Sequence, residues 1–214
     1  MIMDTSVNKI IVVGGGTAGL LSALILKKTY NVDIEIIKSE EIGIIGVGEG
    51  STEQWQDFLD YCEIDWKELI KETDATVKLG IYFTGGWSKH NYYHSIQRGF
   101  SDIKLGQLNF SYLCLLANKV DQIKTADYLA IENLVKNDLN KSPSKQYHFN
   151  TFKLNKYLLK KCEQRGIKIT NDTIKTVRLN DLGRIDKLIG EKDYTADFYI
   201  DCTGFKRLLI SKLG

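Results

Sequence analysis

Residues Lys9 to Gly19 read KIIVVGGGTAG, an apolar run that breaks straight into glycines, and few folds accommodate such a junction. Ile10 to Val13 is β-branched throughout, as in a strand buried on both faces. Gly14, Gly16 and Gly19 fill the pattern G-x-G-x-x-G, with Thr17 and Ala18 inside it, and Leu20 to Lys28 continues at helical spacing. Each glycine has a physical job: Gly14 permits the tight turn, Gly16 lets the backbone approach a pyrophosphate, and Gly19 lets helix and strand pack closely. The helix N-terminus adds partial positive charge facing the phosphates. Val32 to Ile37 reads as the second strand of a βαβ start.

The totals place this unit in an ordinary globular chain. At 214 residues it can bury a real core, in one or two domains. Apolar content is 43% and charged content 26%, which argues against disorder. A net charge of +2 gives no case for nucleic acid or an anionic membrane surface. No apolar stretch is long enough to span a bilayer and no signal-peptide pattern is present, and the scattered cysteines indicate no disulfide framework, so reduced thiols in a cytoplasmic setting are expected. Cys62, Cys114, Cys162 and Cys202 lack a C-x-x-C pair, and His90, His94 and His148 lack metal-site spacing, so no metal site is expected.

Further along, Ser39 to Thr52 (SEEIGIIGVGEGST) is too apolar for a solvated linker and too glycine-rich for a strand or helix. A fixed loop lying against something flat is the economical reading. Glu53 to Ile70 carries Trp55, Phe58, Leu59, Cys62 and Trp66 at three- and four-residue spacing and predicts one amphipathic helix. Thr76 to Phe83 alternates like a strand. Helical stretches are expected near Tyr112 to Lys119 and Tyr128 to Leu139, then a helix over Leu154 to Arg165. Strands follow at Gly166 to Thr170, Thr173 to Leu179 and Ala196 to Cys202, with a turn at Asp181 to Arg184. The pattern is an α/β sheet with an insertion: nucleotide domain over 1–87, helical insertion over 88–145, nucleotide domain resumed over 146–214.

Four collinear segments resemble the flavin-dependent tryptophan halogenases: VVGGGTAG, IGVGEGST at Ile45 to Thr52, VKLGIYFTGGW at Val77 to Trp87, and ADFYIDCTGFKRLLI at Ala196 to Ile210. The second and third are far more specific than the first. The resemblance implies an FAD-binding Rossmann-like domain of the glutathione-reductase and monooxygenase type. It also implies truncation, because the family's W-x-W-x-I-P segment and catalytic glutamate, which lie in its later half, have no counterpart among these residues.

In that family, reduced FAD (FADH2) from a separate flavin reductase, with oxygen and a halide ion, yields hypohalous acid, which reaches a lysine beside the organic substrate. The resemblance places this lysine at Lys78, where an ammonium could polarise the acid or a neutral amine could become an N-haloamine. The loop Ser39 to Thr52 would be the flavin strap, with Ser39, Ile42, Glu49 and Gly50 as flavin contacts. Glu49 could equally cap the following helix, and Ile174 is either an adenine neighbour or a plain core residue.

Two departures from the family pattern stand out. The strand-end glutamate that related FAD proteins use for the ribose hydroxyls is Lys38 here, with Glu40 and Glu41 just beyond; a lysine cannot accept those bonds, so either cofactor affinity is lower or a neighbouring glutamate substitutes. In Tyr93-His94-Ser95-Ile96 the histidine is kept, but Ile96 replaces the phenylalanine that stacks on tryptophan. Isoleucine offers no aromatic face, so the expected small aromatic substrate is another indole or a phenol. The expected activity is therefore FAD-dependent halogenation, with a flavin monooxygenase of similar fold or an inactive FAD-binding fragment as alternatives. Oligomeric state is left open.

Overall fold

The computed structural model describes residues 6–46, 48–52, 54–78, 80–85, 92–95, 104–105, 108–109, 117–118 and 146–213. They divide into two compact units: Met1–Glu49 with Leu59–Asp74 and Phe149–Gly214, and Gly50–Phe58 with Ala75–His148. Among the described residues, no helix is long and apolar enough to cross a membrane.

The first unit is built on a parallel sheet. Strand β1 (Lys9–Val13) leads through the glycine turn to helix α1 (Thr17–Thr29) and strand β2 (Asp33–Lys38). The register Ile10↔Ile34 to Val13↔Ile37 confirms the βαβ reading, and β1 has β-branched residues where both faces are covered. Later in the chain, α4 (Thr151–Gln164) leads to β10 (Lys168–Asn171), and the chain returns as β14 (Phe198–Asp201). The sheet order is β10-β2-β1-β14, with all pairs parallel. The order reverses beside β1, so its carboxyl end and that of β14 flank the switch point where open α/β sheets bind ligands.

Alternation along β1 sends its side chains to opposite faces. Ile11, Val13 and Ile37 join Ile174, Leu188, Tyr194 and Leu209 in one core cluster. That face is covered by an antiparallel meander, β11 (Thr176–Leu179), β12 (Ile185–Ile189) and β13 (Asp193–Tyr194). Helices α1 and α4 pack together, α1 lying on β1 and β2 and α4 on β10, with Leu20, Leu24, Leu154 and Leu158 fully buried. The result is meander, parallel sheet and helices: the α/β class is the one expected from the sequence, and the meander, with β12 and β13, is an addition to it.

Two local expectations are corrected. The single helix expected over Glu53 to Ile70 is two helices, α2 (Gln54–Tyr61) and α3 (Trp66–Thr73). The break has visible causes: Glu63 adopts a left-handed φ of 52°, and Asp65 caps α3 by accepting from the Lys67 N–H. The single strand expected over Thr76 to Phe83 is likewise divided, into β4 (Thr76–Val77) and β5 (Gly80–Phe83).

β4 pairs with Tyr147 and His148 of β9 (Tyr147–Phe149), which also pairs with β3 (Glu49–Gly50); the end residues Glu49 and Phe149 of these two strands belong to the first unit and the rest to the second. β5 pairs with β6 (Tyr92–Ser95) in a separate ribbon, and β7 (Lys104–Leu105) pairs with β8 (Leu108–Asn109). The helices expected near Tyr112 to Lys119 and Tyr128 to Leu139 lie outside the described residues, save a turn at 117–118.

Candidate functional site

The glycine turn assigns its three glycines different environments. Gly14 has φ +121°, and a Cβ there would lie 2.2 Å from the Cys202 carbonyl oxygen, so only glycine lets β1 turn beside the end of β14. A Cβ on Gly19 would lie 2.0 Å from the Gly14 carbonyl oxygen, which explains the close approach of helix and turn. A Cβ on Gly16 would meet nothing within 4 Å. Gly16 is also the N-cap of α1, which has no side-chain cap bond and no acid in its first turn. That combination of open approach, bare backbone and positive helix end suits a phosphate.

The turn is held from outside by side chains. Asn155 on α4 donates from Nδ2 to the Gly15 carbonyl at 2.6 Å. The sequence reading missed it; the available signal was a polar residue on the buried face of an amphipathic helix, where it is 9% exposed. On the other flank, Asp201 organises the chain after β14. Its carboxylate accepts from the N–H and hydroxyl of Thr203 at 3.0 and 2.6 Å, and from the N–H groups of Leu209 and Ile210 at 2.8 and 3.0 Å. Burial pushes this carboxyl up, but those donors outweigh it and hold it below the ordinary aspartate value.

The loop after β2 is tied at both ends within this unit. Ser39 Oγ lies 2.6 Å from Thr173 Oγ1 and accepts from the Ile42 N–H at 3.2 Å, while the Gly43 N–H closes onto the Ser39 carbonyl at 3.0 Å. Ile42 and Ile45 point outward, 56% and 72% exposed. A Cβ on Gly46 would lie 2.0 Å from Phe152 Cζ, so the loop runs close under that ring. At the far end Glu49 accepts from Thr17 Oγ1 at 3.0 and 3.1 Å, which brings its carboxylate to the first turn of α1. Ile174 is 8% exposed and belongs to the core cluster between meander and sheet. Lys38, at the strand end, pairs with Glu40 at 2.8 Å.

In the second unit Lys78 occupies the gap between β4 and β5. Its backbone N–H donates to the Gln146 carbonyl at 2.9 Å, and its half-buried ammonium donates to the Ser51 carbonyl at 3.1 Å. Ser51 is itself locked: its N–H donates to the Tyr147 carbonyl at 2.8 Å and its Oγ accepts from the Tyr147 N–H at 2.8 Å. A Cβ on Gly50 would stand 3.6 Å from both Lys78 Nζ and His148 Nδ1. Thus Gly50, Ser51, Lys78 and His148 meet around one point, with an amine directed to the backbone of the segment IGVGEGST. In the sequence His148 shows no metal-site spacing and no other signal; its position here comes from β9, which no local pattern marks. His94 lies on β6 in register with Ile81, and Ile96 lies outside the described residues.

Comparison with known proteins bears on what this geometry is for. The family model described as tryptophan halogenase matches residues 9–213. The tryptophan 6-halogenase SttH of Streptomyces toxytricini is 26% identical, over 96% of this chain and 45% of its own length. The tryptophan 7-halogenase RebH of Lentzea aerocolonigenes is 27% identical, over 98% of this chain and 45% of its own. The crystal structure of SttH superposes with a TM-score of 0.80, over 97% of this chain and 46% of that one. A flavin-dependent halogenase from Xanthomonas campestris, 27% identical, gives 0.79 over 97% and 44%. The chain therefore spans 45% of the length of the curated relatives it matches. It belongs to the tryptophan halogenase family.

Proposed function

We propose that this chain binds FAD, received in reduced form from a separate flavin reductase, and takes part in halogenating a small aromatic substrate. Gly14, Gly16, Thr17, Ala18 and Gly19 would hold the pyrophosphate, and Ser39, Ile42, Glu49 and Gly50 would line the strap along the flavin. Ile174 would contribute to the adenine side from the core. When bound, reduced FAD together with oxygen and a halide ion supplies an oxidised halogen.

The chain's own residues then handle that halogen. The ammonium of Lys78 can donate a hydrogen bond to hypohalous acid, or its neutral amine can take the halogen, forming an N–halogen bond and releasing water. The Ser51 carbonyl orients the amine in either case. His94 and Ile96 would face the organic substrate, and the aliphatic side chain at Ile96 favours an indole other than free tryptophan, or a phenol. A cytoplasmic location, where reduced flavin is available, fits this role.

The observation that carries the reading is the 3.1 Å bond from Lys78 Nζ to the Ser51 carbonyl, which joins two of the segments that resemble the family. The test supplies the protein with FAD, a reductase, halide and a panel of indoles and phenols, and follows products by mass. With Lys78→Ala, reduced flavin is still consumed while halogenated product falls by at least about 10²-fold. Continued formation of an oxygenated product in that variant would favour a monooxygenase instead.

A further inference from the structure

The end of β2 is where this chain departs from other nucleotide-binding βαβ units, because the position that ordinarily accepts bonds from ribose hydroxyls is a lysine. The position itself is right for the task. A Cβ on Gly15 would lie 2.5 Å from Lys38 Cβ, so the Lys38 stem lies directly against the turn that suits a pyrophosphate. From there the ammonium reaches Glu40 Oε1 at 2.8 Å. Glu40 is fixed a second time, since its N–H donates to Asn171 Oδ1 at 2.9 Å, and Asn171 is the residue paired with Lys38 across β10 and β2. Its side chain stays 67% exposed, so carboxylate surface remains available beyond the ion pair.

An ammonium only donates and a carboxylate only accepts, whereas a ribose diol does both. We infer that Glu40, positioned by Lys38 and Asn171, accepts the hydrogen bonds of the adenosine ribose hydroxyls. The acid of the ordinary pattern is moved two residues along the chain and held there by the base that replaced it. This assignment rests on the nucleotide reading above. It also sets a preference: a 2′-phosphate would leave the Glu40 carboxylate no 2′-hydroxyl to accept from, so the site selects a nucleotide with a free 2′-hydroxyl.

Binding of FAD, ADP, 2′,3′-dideoxy-ADP and adenosine 2′,5′-bisphosphate is measured by calorimetry on the wild type, Glu40→Ala, Lys38→Glu and the double variant. Glu40→Ala weakens FAD and ADP about tenfold, the loss expected for one bond to a charged acceptor. The wild type prefers ADP to its dideoxy analogue by a similar factor, and Glu40→Ala abolishes that preference. In the Lys38→Glu background, where an acid returns to the strand end, removing Glu40 costs less than about twofold. The melting midpoint of Glu40→Ala stays at the wild-type value, because the pair is exposed.

Unchanged ADP affinity in Glu40→Ala, or tighter binding of the 2′,5′-bisphosphate than of ADP, overturns the assignment. A wild type that binds ADP but not FAD overturns the flavin reading while the ADP series still decides on Glu40. A wild type that binds none of the four overturns both.

Discussion

At the residue scale, glycines at neighbouring positions of one motif face opposite constraints, and this separates folding from binding. Gly14→Ala forces a left-handed backbone and a collision with the Cys202 carbonyl, so it should cost about 2 kcal/mol or more in urea denaturation. Gly16→Ala meets open space at an extended φ of −77° and should cost no more than about 1 kcal/mol, the usual penalty for alanine at an N-cap. If the chain binds FAD as proposed, the effect should appear instead in flavin binding, because the new methyl group stands where a phosphate would approach. Equal stability of the two variants would contradict the geometry. The spacing of these glycines was legible in the sequence; Asn155, which reaches the same turn from 140 residues away, was not. Its local mark, a polar residue on the buried face of an amphipathic helix, does not say what it meets.

At the scale of elements, the corner between α2 and α3 shows how a short-range signal overrides a periodic one. The apolar spacing of Trp55, Phe58, Leu59, Cys62 and Trp66 runs on through the corner, yet the capping Asp65 starts a new helix. The new direction pairs the acids of α3 with the bases of α4. Glu68 meets Lys161 at 2.7 Å, Glu72 meets Lys160 at 3.4 Å, and Asp74 just beyond α3 meets Lys153. Only Lys161 is well shielded, at 11% exposed, so that pair carries most of whatever these bridges contribute. Helix α4 depends more on its cap. Asn150 Oδ1 accepts from the N–H groups of Phe152 and Lys153 at 3.1 and 3.2 Å. Asn150→Ala should lower stability by about 1 kcal/mol, read as a lower denaturation midpoint at unchanged slope. The division of the strand at Lys78 is also an element-scale effect: β4 and β5 pair with partners far apart in sequence, which alternation cannot reveal.

At the scale of the whole molecule, the parallel sheet contains a buried charge whose compensation couples folding to pH. Glu35 on β2 is 3% exposed and bonds Thr170 Oγ1 at 2.7 Å, Lys168 at 2.9 Å and Lys9 at 3.0 Å. Burial pushes its carboxyl up, but these three partners outweigh it and bring it down to about 2. Since the folded value lies below the unfolded one, the stabilisation is complete above about pH 4.5 and is lost as pH falls towards 2. Its ceiling is about 3 kcal/mol, reduced to about 1–2 because Lys9 and Lys168 are 38% and 63% exposed. Urea midpoints should therefore fall between pH 5 and 2.5, and Glu35→Gln should be weaker at neutral pH with a flatter acid limb. Asp172 and Asp201 are depressed in the same direction and steepen the fall in both proteins.

The βαβ start, the glycine turn and the strands that follow residue 165 were determined by local order of residues, because β-branched runs and glycine positions constrain the backbone wherever they occur. So was the family resemblance, carried by contiguous segments. Tertiary structure decided what those segments meet. It brought Asn155 to Gly15, Glu49 to Thr17, Lys38 across Gly15 and His148 to the neighbourhood of Lys78. Each of these depends on strand order and helix packing between distant stretches of chain. A side chain's reach is a few ångströms, and only the folded sheet determines which residues fall within it.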